Sequence, residues 1–133
     1  MIVVDASAVL ELLLATPLAA AVDARLFRSD EPLGAPHLID VEVAQILRRY
    51  RAAGDLDEPR ALAALEDLVD LPLNRYPHDV LLPRIWSLRA NLTAYDAAYV
   101  ALAEALDGVL VTCDARLGRA PGSRARIEVI RGR

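Results

Sequence analysis

Short apolar runs alternating with longer helical segments predict an α/β domain of three layers, α/β/α, with a short, mainly parallel central sheet. Two observations carry this expectation. The extended runs Ile2-Val3-Val4 and Val109-Leu110-Val111 are continuously apolar, as in strands buried on both faces, and not alternating. Between the extended pieces lie segments with helical start and stop signals, so strand and helix alternate along the chain.

Ile2-Val3-Val4 is β-branched and ends at Asp5, and Ala8 to Leu14 reads as a mostly apolar helix. Thr16-Pro17 ends that helix and opens a second one to about Phe27, because proline fits the first helical turn. Ser29 to Gly34 reads as a polar turn region. Pro36 opens a helix from His37 to about Ala53, with Gly54 in the C-cap role. Asp57-Glu58-Pro59 caps a helix through Val69, Pro72 to Tyr76 looks extended, and Pro77-His78-Asp79 starts a helix to about Ala90. Thr93 begins a helix through Leu106, Asp107-Gly108 breaks it, Val109 to Val111 is a buried strand, and Ile127 to Ile130 is the last strand. No repeat, low-complexity tract or linker interrupts the pattern, so residues 1–133 read as a single domain.

Composition narrows the function. With 55% hydrophobic and 26% charged residues the chain resembles a compact globular protein that folds without staples. A net charge of −4 argues against a surface built to hold nucleic acid by counterion release, so any such contact is local. Every one of the 15 basic residues is arginine, which removes P-loop, Schiff-base and receiver-domain chemistry, each of which needs a lysine. Cys113 has no disulfide partner, and His37 and His78 lie too far apart for a zinc motif; a reducing, cytoplasmic setting suits this usage. Asp5 and Glu11 interrupt an N-terminus without a basic leader, and no segment has the length to span a bilayer, so no membrane association is expected.

The acids are the candidates for chemistry. Asp5 and Asp114 end strands, and in open parallel sheets ligands sit beyond the carboxyl ends of strands; both could also simply cap helices. Glu42 shares a helical stripe with Leu38 and Ile46, flanked by Ile39, Val43 and Leu47, which sets a carboxylate within an apolar face. Burying it costs several kcal/mol unless it is paired, protonated or metal-bound, although a glutamate stem can also reach out to water. Asp40 lies off that stripe and reads as solvent-facing. Asp96 fits the capping box Thr93-Ala94-Tyr95-Asp96, yet it is in register with Val100 and Ala103 of an apolar helix and so points toward the protein body. Arg48, Arg49 and Arg51 read as a solvated helix end, Arg116, Arg119, Arg124 and Arg126 as a loose basic stretch, and Trp86 and Tyr95 as core or interface residues.

Val3-Val4-Asp5-Ala6-Ser7-Ala8, Glu42, Thr93 to Ala103 and Leu110-Val111-Thr112-Cys113-Asp114 together resemble a PIN domain, with most likeness to the VapC-type toxins of toxin–antitoxin pairs. The resemblance covers essentially the whole chain. It implies a ribonuclease with Asp5, Glu42, Asp96 and Asp114 as an acidic quartet and with Ser7 and Thr112 as supporting hydroxyls. It also implies a homodimer and a cognate antitoxin that blocks the site. Many relatives carry a further acid just after the fourth; here Ala115 and Arg116 follow Asp114, which leaves a second metal position open.

Crowded carboxylates repel one another, and a divalent cation relieves this at neutral pH. Oxygen ligands without histidine or cysteine favour Mg²⁺ or Mn²⁺ over zinc. The expected activity is endonucleolytic RNA hydrolysis by metal-activated water. A catalytically silent interaction module of the same fold is the rival class, which the presence of all four acids opposes. A flap-type DNA nuclease shares the chemistry, but such proteins carry DNA-gripping elements that 133 residues hardly allow.

Overall fold

In the computed structural model, which describes residues 1–132, β1 (Ile2–Val4) leads into α1 (Ala6–Leu13) and α2 (Ala19–Phe27). β2 (Leu33–Pro36), α3 (Leu38–Ala53), α4 (Glu58–Asp70) and β3 (Leu73–Tyr76) follow, then α5 (Leu82–Ser87), α6 (Ala94–Ala105), β4 (Val109–Thr112) and β5 (Arg126–Val129). The strands form one sheet in the order β3-β2-β1-β4-β5, and every pairing is parallel. Parallel neighbours need long crossovers, which the helices supply except between β4 and β5, where residues 113–125 cross with a single 3₁₀ turn at Leu117–Arg119. α1 packs on α2, α3 and α4, while α5 and α6 form a second helical group with α6 against β1, β2 and β4.

The central strands β1, β2 and β4 are buried throughout, whereas the edge strand β5 leaves Arg126 and Glu128 exposed. This is why the inner strands read as plain apolar runs. Local signals set the helix ends: the Asp57 side chain accepts the Arg60 N–H at 2.8 Å, and Gly54 closes α3 at φ 80°, a left-handed conformation that glycine adopts at little cost. Gly108 has a different reason. A Cβ there would lie 2.7 Å from the Met1 carbonyl oxygen, where the chain enters β4 alongside β1.

Four sequence expectations change. Residues 33–36 form β2, although Leu33-Gly34-Ala35-Pro36 carries turn-type residues and no β-branched side chain. Gly34 is needed because a Cβ would come within 2.9 Å of the Tyr76 ring, and Pro36 sits beyond the last β1 partner, where its missing N–H costs no ladder bond to that strand. The helix expected from Pro77 to Ala90 is a 3₁₀ turn at Asp79–Leu81 followed by α5, since Pro83 cannot donate backward and fits only in a first turn. Asp40 is not simply solvent-facing: Arg75 of β3 grips it through Nε at 2.8 Å and Nη2 at 2.9 Å. Of the two readings for Trp86 and Tyr95, core or interface, the core reading falls, since they are 67% and 65% exposed; the Arg89 guanidinium lies 4.6 Å from the Trp86 ring centroid.

Candidate functional site

β1 and β4 are neighbours in the middle of the sheet, with β2 continuing on one side and β5 on the other. A cleft therefore opens at their carboxyl ends, the position where this topology places ligands. Asp5 follows β1 there, and its N–H bonds to the Val111 carbonyl of β4 at 3.3 Å. The Asp5 side chain is nearly buried, at 7% exposure. Its Oδ1 accepts the Ser7 hydroxyl at 2.7 Å and the Ala8 N–H at 3.1 Å, and its Oδ2 accepts the Thr112 hydroxyl at 2.5 Å. A carboxylate has about four lone-pair sites, so three donors leave about one free, on Oδ2. Asp5 is thus both the cap of α1 and a carboxylate with one remaining acceptor direction.

Ser7 and Thr112 tie the two strand ends together through that carboxylate. The Ser7 oxygen accepts the Cys113 N–H at 3.0 Å, and the Thr112 oxygen accepts the Asp114 N–H at 3.0 Å. Each hydroxyl has one proton and gives it to Asp5. The two hydroxyls thus convert backbone donors of the segment after β4 into donors aimed at Asp5.

Glu42 and Asp96 approach from the helices. The row of α3 that is fully buried is Ile39, Val43 and Leu47, while Leu38, Glu42 and Ile46 form the half-buried row beside it. Glu42 therefore stands at the margin of the apolar face, where Oε1 accepts the Tyr99 hydroxyl of α6 at 2.5 Å. Asp96 is half-buried in the first turn of α6, and the Thr93 oxygen caps its N–H at 3.1 Å. Thr93 thus caps α6 through its hydroxyl, while no bond from the Thr93 N–H to the Asp96 carboxylate closes the capping box among the described residues. Asp96 and Tyr99 lie three apart on one helix face, so a single helix supplies an acid and the phenol that orients another acid.

Burial pushes the carboxyls of Asp5, Glu42 and Asp96 above the ordinary range. Neighbouring acids add to this: Asp114 acts on Asp5 and on Asp96, while Asp96 and Asp5 act on Glu42. Asp114 moves the other way because the Arg116 guanidinium bonds to it. Pairwise repulsion thus links the four predicted acids, Asp114 to Asp5 and Asp96, and Glu42 to Asp5 and Asp96.

Among the described residues, no three His, Cys, Asp or Glu side chains converge into a closed metal cage. Mg²⁺ does not require one, since it keeps several waters and commonly takes one or two carboxylates together with substrate phosphate. The donor set fits such a hydrated, oxygen-seeking ion. A thiophilic metal has little to hold, because burial pushes the half-buried Cys113 thiol up to about 11 and keeps it protonated.

Sequence reasoning did not single out Tyr99 or the pairing of Arg116 with Asp114. The spacing of Tyr99 from Asp96 was a usable signal, but its meeting with Glu42 depends on how α3 crosses α6. Arg48, Arg49 and Arg51 are exposed as expected, with Arg51 bonded to Glu58 at 3.1 Å.

A model of the PIN domain family matches residues 2–123. The chain is 46% identical over 130 residues to ribonuclease VapC1 of Mycobacterium tuberculosis, covering 97% of each. Among solved structures it is similar to M. tuberculosis VapC20, described as a sarcin-ricin loop cleaving toxin, with a TM-score of 0.71 and 17% identity over 92% of this chain and 96% of that one. A toxin–antitoxin complex from Klebsiella pneumoniae matches with a TM-score of 0.68 and 15% identity over 100% of both chains. At those identities the structural matches speak for the fold alone. The family match and the near full-length identity go further, and the chain belongs to the PIN-domain family, with relatives among the VapC ribonucleases.

Proposed function

We propose that the chain is a metal-dependent endoribonuclease, the toxin of a type II toxin–antitoxin pair, acting through Asp5, Glu42, Asp96 and Asp114. The observation that carries this reading is the set of four carboxylates at and around the β1–β4 ends, of which Asp5, Glu42 and Asp96 are raised by burial and by neighbouring acids of the set. The identity to VapC1 supports RNA as the substrate. When bound, Mg²⁺ or Mn²⁺ would offset the carboxylate repulsion and the charge of the phosphodiester, and would sharpen a water as nucleophile.

The chain's own residues do the rest. Asp5, fixed by three donors, offers its remaining Oδ2 lone pair at one constant position. Tyr99 holds Glu42 by Oε1, so Oε2 is the atom free to take a proton from an attacking water, and a raised carboxyl suits that task near neutral pH. Asp96 and Asp114 complete the negative field.

A cognate antitoxin, a homodimeric assembly and a cytoplasmic setting belong to the same proposal. The Klebsiella complex is a precedent in fold for the first, and no helix among the described residues is long and apolar enough to cross a membrane. The test is RNA cleavage by purified protein with Mg²⁺ and with EDTA, beside Asp5→Asn and Asp96→Asn. Wild type should cut only with metal, and each variant should lose at least about a hundredfold in rate, as expected for removal of a preorganised charge. Equal cleavage by wild type and variants would assign the signal to a contaminant and remove the site.

A further inference from the structure

Of the four acids, Asp114 is the one closed by an arginine of its own segment. Arg116 Nε stands 3.3 Å from Oδ1 and Nη2 stands 3.0 Å from Oδ2, while the Arg116 backbone N–H also bonds to Oδ1 at 2.9 Å. Both oxygens are thus engaged by a two-armed guanidinium, and neither can turn fully to another cation until the fork lets go. The arginine is not locked in place: its side chain is 83% exposed, against 26% for Asp114.

A guanidinium fork fits a phosphate as well as it fits a carboxylate. Arg116 also lines an open pocket of about 290 Å³ with Asn91, Thr93, Asp96, Asp114 and Arg119, directly beside the acidic centre. A phosphodiester entering this pocket meets Arg116, the one guanidinium bonded to an acid of the quartet among the described residues.

We propose that Arg116 is a positioning residue shared between Asp114 and the RNA phosphate. In the free protein it closes Asp114; when a phosphodiester enters the pocket the fork transfers to it, and the Asp114 carboxylate is released to the acidic centre. RNA and a divalent cation would then promote each other's binding, since coupling between two ligands is reciprocal. This inference rests on the ribonuclease reading above.

The experiment is a Mn²⁺ titration without RNA, following free Mn²⁺ by its paramagnetic resonance signal, on wild type, Arg116→Ala, Arg119→Ala and Asp96→Asn. An exposed ion pair shifts an equilibrium by up to about fivefold, so Arg116→Ala should bind Mn²⁺ about three- to fivefold more tightly. Arg119→Ala, in the same pocket without a bond to Asp114, should change it less than about twofold. No tightening in Arg116→Ala, or equal tightening in both, overturns the sharing. An unchanged affinity in Asp96→Asn instead overturns the site itself, which keeps the two failures apart.

The second arm measures anisotropy of a labelled single-stranded RNA decamer in EDTA. Arg116→Ala should weaken binding, and Asp114→Asn should strengthen it by setting Arg116 free. In the Arg116→Ala background, Asp114→Asn should have lost that effect, because a double-mutant cycle isolates the pair. Strengthening that persists there means that charge alone is acting, and the proposal fails.

Discussion

Replacing Thr112 by valine keeps the side-chain shape and removes one hydroxyl from the middle of the site. Thr112 is fully buried, and its hydroxyl both donates to Asp5 Oδ2 at 2.5 Å and accepts the Asp114 N–H at 3.0 Å. A hydrogen bond to a charged group contributes roughly 1.5–3 kcal/mol and a neutral one about 1 kcal/mol. The added methyl recovers about 0.8 kcal/mol by burial, so Thr112→Val should lose about 2–3 kcal/mol at pH 7 in metal-free buffer. The sign of the pH dependence follows from Asp5. Burial raises its carboxyl and the Thr112 bond is the first of the groups that lower it, so removing that bond raises it further. A carboxyl raised in the folded state gives stability that is present below its unfolded value and is lost as pH rises through the folded value. The cost of Thr112→Val should therefore be smaller at pH 4 than at pH 7. Urea denaturation at both pH values, with Thr112→Ser as the hydroxyl-retaining control, measures it. A loss under about 0.5 kcal/mol, or one equal at both pH values, would refute the assignment of this hydroxyl to the Asp5 anion.

Three further outcomes are expected. Glu42→Gln keeps an oxygen for Tyr99 and removes an anion whose carboxyl burial has raised, so in EDTA it should be at least as stable as wild type at pH 7. Its advantage should shrink as pH falls through the carboxylate range and as Mg²⁺ is added; thermal melts that show a constant difference would contradict this. Tyr99→Phe should cost about 1.5–3 kcal/mol in denaturant melts, because Tyr99 is 2% exposed and its hydroxyl bonds to a carboxylate. Gly108→Ala forces a Cβ to 2.7 Å from the Met1 carbonyl oxygen, and the shift it imposes on β1 and β4 should cost about 1–3 kcal/mol in the same melts, with near-neutral behaviour excluding that close approach.

Much of this protein is written locally. Asp57, Thr93 and Gly54 mark helix ends because a cap needs only its own side chain or backbone and the next turn. The buried strands β1 and β4 are legible because burial on both faces demands unbroken apolar residues, and their ends point to Asp5 and Asp114. Glu42 and Asp96 stand out because a carboxylate in register with apolar residues of a helix face is a local anomaly.

Other features depend on what lies opposite. Leu33-Gly34-Ala35-Pro36 is a strand because β1 and β3 pair with it on either side, with Gly34 leaving room for the Tyr76 ring and Pro36 lying beyond the last β1 partner. Asp40 meets Arg75 across thirty-five residues, and Glu42 meets Tyr99 across fifty-seven. Helical spacing assigns a side chain to a face but says nothing of the partner that face will meet. The residue types at the site follow from the sequence; which lone pairs remain free, and which carboxylate Arg116 closes, are decided by the parallel register of β1 with β4 and by the turn after β4. Hydrogen bonds act over about 3 Å, and only the folded chain brings groups from distant segments that close.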